Sequence, residues 1–263
     1  MKASRNLRSI GVLTSGGDAP GMNACVRAVT RAAINEGWKV WGIYRGWQGL
    51  IEGKIQELTT ESVSSTIQRG GTILKTARSK DFMTQEGREK AYENIQKFGI
   101  DAIIVIGGNG SLAGAQALAS EYDIPVIGLP GTIDNDLAYT EMTLGYDTAV
   151  NCCSDVVRAI RATSRSHDRP HVVEVMGRDC GDIALSTAAA TGSEIVVVPE
   201  VKWSVDEIAD KLNFQIKRGN TRATVVIAEG CWASMKPFDV YKFLKPYGKE
   251  VYEGEPMTAN RLA

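Results

Sequence analysis

Asp134 and Asp136, two carboxylates placed two residues apart, are the strongest candidates for catalysis in this sequence. They follow an apolar run, Ile124 to Leu129, that is typical of a buried strand. If the segment stays extended, its two-residue period directs both carboxylates to the same side. One could then accept a proton while the other holds a metal ion, as phosphoryl transfer to a hydroxyl requires. An ordinary turn is the alternative, because Asp and Asn are common in turns.

Three glycine-rich loops share the same setting directly after a predicted strand. Ser15 to Asn23 and Gly107 to Ser111 each precede a predicted helix, where glycines let backbone amides approach an anion. Met176 to Arg178 places a guanidinium at a strand end, where it can bind a phosphate through two hydrogen bonds. Arg78 and Arg169 are further candidates for anion binding. In each case the alternative is structural: a glycine that a tight turn needs, or an arginine exposed to solvent.

Short apolar runs alternate with helix-period segments along the chain, which is typical of parallel sheets covered by helices. The pattern predicts an α/β fold of two doubly wound, Rossmann-like lobes with mainly parallel sheets, divided near residue 140, with a ligand cleft between them. The long helical pattern from Tyr146 to Thr163 could connect the lobes. The remaining predicted helices are Met22 to Glu36, Gln85 to Phe98, Ser111 to Ser120 and Val205 to Arg218. The predicted strands are Ile10 to Leu13, Val40 to Tyr44, Ala102 to Ile106, Val126 to Leu129, Val172 to Val175, Ile195 to Val198 and Thr224 to Ala228.

The bulk composition excludes several classes of function. A formal net charge of -1 over 263 residues gives no basic footprint for nucleic acid. No apolar stretch approaches the ~20 residues of a membrane span, and the basic N-terminus has no apolar segment of a signal peptide behind it. The five cysteines are an odd number without disulfide or zinc spacing, which indicates reduced thiols and a cytoplasmic protein.

Taken together, these loops resemble the ATP-dependent 6-phosphofructokinases of the bacterial type. The most specific matches are Pro130 to Asp136 (PGTIDND) and Val173 to Arg178 (VEVMGR). The resemblance runs from residue 9 to about residue 230, and it also takes in Thr14 to Asn23, Gly70 to Arg78, Gly107 to Ser111, Ser166 to Arg169 and Ala228 to Gly230. It implies transfer of the γ-phosphoryl group of ATP to the 1-hydroxyl of fructose 6-phosphate, giving fructose 1,6-bisphosphate in glycolysis.

The resemblance also implies roles for single residues. Asp134 would be the base for the sugar hydroxyl, Thr132 would bind the sugar or the transferred group, and Arg178 would be a third catalytic residue. Mg²⁺ would lie beside Asp136 and Asn109, where the family often has Asp in place of Asn109. The ATP phosphates would contact Gly17, Arg78, Gly108, Gly110 and Ser111. The sugar phosphate would contact Met176, Gly177, Arg178, Glu229 and, from a neighbouring subunit, Arg169, which implies a homotetramer.

The family's effector site is matched in part. The positions that bind a regulatory nucleotide or phosphoenolpyruvate correspond to Arg27, Arg31, Arg161, Glu194 and Arg218. Thr60 and Asn220 stand where basic residues are usual, so we expect blunted or altered regulation. On this basis residues 1–140 form a nucleotide-binding lobe and residues 141–256 a sugar-phosphate-binding lobe.

Two alternatives remain open at the level of sequence. Pyrophosphate-dependent relatives typically have Asp and Lys where this chain has Gly110 and Gly131, so the glycines favour ATP. After Glu229 the usual segment with arginines and a histidine that hold the sugar phosphate is absent, and residues 257–263 resemble a truncated remnant of the C-terminal region. A truncated, non-catalytic nucleotide-binding homologue is therefore the second alternative, which the intact Asp134 and Asp136 argue against.

Overall fold

The computed structural model describes residues 7–234, and contacts between residues divide the chain into two units. The first unit contains the residues up to Ile133 together with Leu137–Tyr146. The second contains Asp134–Asp136 and the residues from Asp147 onward. The remnant predicted at residues 257–263 and the last part of the predicted second lobe lie outside the described residues.

The first unit is built on a six-stranded sheet with the order β3-β2-β1-β4-β5-β6. All neighbouring strands are parallel except β2 and β3, which are antiparallel. The strands are β1 (Ser9–Ser15), β2 (Lys39–Ile43), β3 (Ile55–Glu57), β4 (Ala102–Gly107), β5 (Val126–Thr132) and β6 (Leu144–Gly145). The helices are α1 (Met22–Asn35), α2 (Gly46–Ile51), α3 (Gln85–Lys97) and α4 (Asn109–Tyr122), with a 3₁₀ turn at Asp81–Met83.

Both faces of this sheet are covered. Successive side chains of the central strand β1 point to opposite sides, so this strand contributes to the core on each face. Val12 packs in the core cluster on the α1 face with Met22 and Val26. Leu13 packs on the other face with Trp47 of α2 and residues of α3 and α4. All seven residues of β1 are buried, so the strand that precedes the first glycine loop is held in the centre of the unit.

The second unit contains a three-stranded parallel sheet with the order β7-β9-β8. Its central strand is fully buried, as is expected of a parallel strand covered on both faces. A capping box between Ser204 and Glu207 begins its last helix. The strands are β7 (His171–Val175), β8 (Ile195–Val197) and β9 (Thr224–Ala228). The helices are α5 (Tyr146–His167), α6 (Asp182–Thr191) and α7 (Val205–Lys217), and a 3₁₀ turn follows at Glu229–Ser234.

The mainly parallel α/β architecture predicted from sequence is confirmed, and each predicted strand and helix is present within a few residues. The short elements α2, β3 and β6 and the alanine-rich helix α6 were not predicted. One expectation was wrong in part: β5 is not buried on both sides, since Ile127 is 59% exposed. The strand is closely packed at other positions: an added Cβ would lie 2.6 Å from Leu112 of α4 at Gly128, and 2.8 Å from Ile106 at Gly131. Among the described residues, no helix is long and apolar enough to cross a membrane.

Candidate active site

The strand register brings three of the predicted loops of the first unit to the same edge of the sheet. Ser15 at the end of β1 pairs with Gly107 at the end of β4, and Gly107 pairs with Pro130 of β5. Because these strands are parallel, the segments that follow them leave from one edge. The loop after β1, the Gly-Gly-Asn-Gly-Ser loop and the end of β5 are therefore neighbours.

Close packing at this edge depends on glycine at specific positions. A Cβ added to Gly107 would lie 2.5 Å from the Ser15 carbonyl oxygen and 2.7 Å from the Ser111 Cβ, so no larger residue fits. A Cβ on Gly108 would be 3.4 Å from the Thr132 Cβ. By contrast, a Cβ on Gly17 or Gly110 would meet nothing within 4 Å. These two positions are thus open to a ligand, and sterics within the described residues do not require glycine there.

The N-terminus of α4 presents backbone amides at this open edge. The helix begins at Asn109, and the Ser111 amide donates to the Gly108 carbonyl at 3.0 Å. The first amides of a helix lack partners within the helix, and the helix dipole favours negative charge beside them. Asn109 and Gly110 are exposed at this terminus. The arrangement can hold phosphate oxygens without a nearby lysine.

A buried asparagine holds the loop that leads to Arg78. The Asn23 side chain, 1% exposed, donates from Nδ2 to the carbonyl oxygens of Arg69 (2.9 Å) and Gly70 (3.3 Å). Its Oδ1 accepts from the Ile73 amide at 2.7 Å. The amide group of one side chain therefore fixes the backbone at three residues of a loop that has no helix or strand of its own.

Two threonines tie the same loop to the end of β1. The Thr14 hydroxyl lies 2.8 Å from that of Thr72 and donates to the Lys75 carbonyl at 3.0 Å. The Thr76 hydroxyl donates to the Gly16 carbonyl at 2.7 Å. Arg78, two residues later, is exposed and makes no hydrogen bond or ion pair within residues 7–234. Its guanidinium is thus available to an anion, while the backbone that carries it is held.

The extended geometry that would direct both acids to one side is not found, and the alternative, a turn, is present. β5 ends at Thr132, and Asn135 has a left-handed backbone with φ 53°. Asn adopts this conformation more easily than most residues, because its short side chain can form compensating hydrogen bonds. The Asn135 Nδ2 donates to the Asp182 carboxylate at 2.9 Å. The backbone therefore turns between Asp134 and Asp136, so a strand period does not set their relative direction. Asp134 is partly buried and Asp136 is exposed.

In the second unit the strand register brings the segments after β7 and β9 together. Val175 pairs with Ala228, so the next residues of both strands leave from the same edge. The Glu229 Oε1 accepts from the amides of Gly177 (3.2 Å) and Arg178 (2.9 Å). In this structure Glu229 thus fixes the backbone of the predicted sugar-phosphate loop.

The other residues predicted to contact the sugar phosphate are at the surface of the second unit. Arg178 has a left-handed backbone with φ 50°, an uncommon conformation for a non-glycine residue, and its side chain is exposed. Met176 is 60% exposed. Arg169 is exposed directly before β7.

The predicted effector residues have three different settings. Arg161 and Glu194 form a bidentate ion pair (3.0 and 3.1 Å), and Asn220 also donates to Glu194 at 3.3 Å. Partial burial would raise the pKa of Glu194, but the hydrogen bonds from Arg161 and the Thr224 amide outweigh it, so the pKa is lowered. Arg218, the residue after α7, lies instead against the Phe214 ring of that helix. The remaining two are on α1: Arg27, which donates to the Val63 carbonyl at 2.9 Å, and the exposed Arg31.

The donor groups predicted for Mg²⁺ fit a metal that arrives with a nucleotide. No cluster of three or more His, Cys, Asp or Glu side chains within residues 7–234 could hold a metal ion alone. Mg²⁺ is usually held by one or two carboxylates together with waters and substrate phosphates. The exposed Asp136 carboxylate and Asn109 amide oxygen are suitable oxygen donors of that kind.

Sequence reasoning did not identify three residues that hold the candidate loops. Asn23 and Asn135 stand inside the recognised segments, but their side chains bind partners 46 to 50 and 47 residues away. Glu200 accepts from the Gly181 amide at 2.7 Å across 19 residues. Only the position of the two asparagines within glycine-rich loops could have drawn attention to them.

Comparison with known proteins identifies the family. The family model described as phosphofructokinase matches residues 9–257. The chain belongs to the phosphofructokinase family. It is 54% identical over 223 residues to the ATP-dependent 6-phosphofructokinase 2 of Bacteroides thetaiotaomicron, and 51% identical over 224 residues to the ATP-dependent 6-phosphofructokinase of Thermoanaerobacter sp. (strain X514).

A solved structure supports the same family assignment. Phosphofructokinase from Saccharomyces cerevisiae superimposes with a TM-score of 0.82 at 35% identity, over 97% of this chain. The present phosphofructokinase chain covers 36% of that yeast chain. The matches to the Bacteroides and Thermoanaerobacter proteins take in 85% of the present chain and cover 68% and 70% of those two proteins, respectively.

Proposed function

We propose that this phosphofructokinase chain transfers the γ-phosphoryl group of ATP to the 1-hydroxyl of fructose 6-phosphate, giving fructose 1,6-bisphosphate. The observation that carries the proposal is the single sheet edge at which the open positions Gly17 and Gly110, the α4 N-terminus and the held Arg78 loop meet. Relatives that are 51% and 54% identical are ATP-dependent 6-phosphofructokinases. The reaction belongs to glycolysis.

The first unit would bind the donor. The backbone amides at the start of α4, from Gly108 to Gly110, together with Ser111 and the backbone at Gly17, would line the phosphate oxygens, which needs no side-chain cation. Arg78 would neutralise the charge that develops during transfer, at a position where preorganised charge has most effect. Asn109 would be this unit's oxygen donor to Mg²⁺, which supplies neutralisation of the nucleotide phosphates; Asp136, the other predicted donor, belongs to the second unit.

The second unit would bind the acceptor. Arg178 would bind the sugar phosphate, with Met176, Gly177 and Glu229 in the same loop region and Arg169 contributed to a neighbouring subunit. Asp134 would take the proton of the 1-hydroxyl. Thr132, which ends β5 in the first unit, would contact the sugar or the transferred group. Catalysis would then consist mainly of positioning and charge neutralisation, as is general for phosphoryl transfer.

Gly110 and Gly131 differ in how strongly they support ATP, and not pyrophosphate, as the phosphoryl donor. A Cβ on Gly131 would lie 2.8 Å from the Ile106 Cγ2, so packing of β5 on β4 already favours glycine there. Gly110 has open space around it, so packing does not explain it. The preference for ATP over pyrophosphate therefore rests on Gly110 and on the ATP-dependent relatives.

Assembly, regulation and location complete the proposal. The chain would act as a homotetramer, in which Arg169 serves a neighbouring site. Its response to a nucleotide or phosphoenolpyruvate would be blunted or altered, because Thr60 and Asn220 stand where basic residues are usual. A cytoplasmic location is supported by the five cysteines, all of which are free.

The test is a coupled assay for fructose 1,6-bisphosphate on the full chain, with ATP and pyrophosphate compared as donors in the presence of Mg²⁺. Asp134→Asn should lower turnover by about 10²–10⁴-fold, the usual contribution of a positioned base, with ATP binding retained. Asp155→Asn, on the exposed side of α5, is the matched control and should behave as wild type. Turnover that prefers pyrophosphate, or that survives loss of Asp134, would contradict the proposal.

A further inference from the structure

The segment that carries the proposed base is not held by strand hydrogen bonds. β5 ends at Thr132, and the left-handed Asn135 separates Asp134 from Asp136. Asn adopts a left-handed backbone more readily than most residues, so the strand does not continue here and contacts from elsewhere in the chain determine how the segment is held.

One such contact is the hydrogen bond from Asn135 to Asp182. The Asn135 Nδ2 lies 2.9 Å from the Asp182 Oδ2, and both residues are partly buried. A hydrogen bond to an ionised carboxylate is about twice as strong as one between neutral groups. Asp182 is the first residue of α6, which directly follows the proposed sugar-phosphate loop.

The loop before Asp182 is itself fixed at both ends. The Gly181 amide donates to Glu200 at 2.7 Å, and the Gly177 and Arg178 amides donate to Glu229. A Cβ on Gly181 would lie 2.5 Å from the Val198 Cβ, so the backbone at Gly181 is tightly enclosed. Asp182 therefore presents its carboxylate from a rigid support, and that support also carries Arg178.

We propose that Asp182 is a positioning residue that, through Asn135, holds the Asp134 backbone in one orientation. The inference rests on the proposed function, because it assigns a purpose to the orientation of Asp134. It also implies that the base and the sugar-phosphate loop are set on one support, so that a substrate held by Arg178 meets the base at a fixed distance. A purely structural role is the competing explanation, since an acidic residue in the first turn of α6 stabilises the helix dipole.

The test uses Asn135→Ala, Asp182→Ala, the double variant and Asp182→Asn in the full chain. Each alanine variant should lower kcat by about 10–100-fold, the effect expected of a small misplacement, while the KM for ATP changes by less than about threefold. The double variant should have about the same kcat as either single variant, because each single change already removes the same hydrogen bond. Asp182→Asn keeps an acceptor oxygen and should restore much of the lost kcat.

Asp206→Ala is the matched control, because Asp206 is an exposed first-turn acid of α7. It should reproduce any loss of helix stability and leave kcat unchanged. Equal losses of kcat in Asp182→Ala and Asp206→Ala would overturn the proposal. Additive losses of kcat in the variant that combines Asn135→Ala and Asp182→Ala would also overturn it. Asn135→Ala alters a loop and not a helix, so it keeps the test valid if Asp182→Ala does not fold.

Hydrogen exchange separates failure of this inference from failure of the proposed function. The amides of residues 134–136 should exchange faster in Asp182→Ala than in wild type or Asp206→Ala. If the wild-type chain does not phosphorylate fructose 6-phosphate but this exchange still rises, the proposed function fails and the positioning contact stands. Unchanged exchange overturns the positioning role, whatever the activity.

Discussion

Replacement of Asn23 by Ala should destabilise the first unit more than replacement of any single polar residue in the loop that leads to Arg78. Asn23 lies in α1 and holds that loop through its side chain. The side chain makes three hydrogen bonds to the backbone of residues 69–73 and is 1% exposed. At about 0.5–1.5 kcal/mol for each bond, the expected loss is about 2–4 kcal/mol. Poor access of water supports the upper part of that range, because the Ile73 amide would lose its acceptor.

The measurement is equilibrium urea unfolding, with Asn35→Ala as the matched control. Asn35 ends the same helix, is exposed, and has no side-chain hydrogen bond within residues 7–234. Its replacement should change the free energy of unfolding by no more than about 0.5 kcal/mol. The melting temperature of Asn23→Ala should fall by about 5–15 °C.

A functional readout accompanies the stability measurement. Because Asn23 holds the loop before Arg78, its loss should also raise the KM for ATP under conditions where the variant is folded. A cost below about 1 kcal/mol, or one equal to that of Asn35→Ala, would refute the argument that this side chain organises the loop.

Three further outcomes are expected. Gly107→Ala should prevent stable folding, because its Cβ would lie 2.5 Å from a carbonyl oxygen, whereas Gly110→Ala should fold normally; comparing their melting curves checks this. The lowered pKa of Glu194 means that its ionised form stabilises the fold at neutral pH and that this contribution is lost on acidification. The difference in unfolding free energy between wild type and Glu194→Gln should therefore shrink between about pH 7 and about pH 3, and a growing difference would contradict it. Burial raises the pKa of Cys231 to about 11, so iodoacetamide at about pH 8 should label the exposed Cys152 long before Cys231, as peptide mass spectrometry would show.

The strands of both units were predictable because each is a short apolar run between polar or glycine-rich segments. Helix α6 was not, since Asp182–Thr191 is rich in alanine and lacks the alternation of polar and apolar faces that marks a helix. The strand β3 has three residues, which is too short for a periodic pattern. Parallel strands with helical connections were thus visible in the sequence, and the small additions at the sheet edge were not.

The candidate site was predictable as a set of loops but not as an arrangement. The residue types after β1, β4, β5 and β7 indicated anion binding and proton transfer. A turn at Asn135 was one of two alternatives, but the hydrogen bond from its side chain could not be predicted, because the carboxylate that accepts it lies 47 residues away. The same limit applies to Asn23, whose partners form a loop without periodicity. Local patterns therefore identified the chemistry, and contacts distant in sequence determine its geometry.

The division of the chain has a consequence for recombination between relatives. Asp134–Asp136 belong to the second unit, but Ile133 before them and Leu137–Tyr146 after them belong to the first. No single crossover point can therefore exchange one unit whole. A chimaera joined near residue 140 would take Asp134 and Asn135 from one parent and Asp182 from the other. Viable hybrids should be those whose parents agree at both ends of that hydrogen bond, so the pair is inherited as a unit even though the chain separates it.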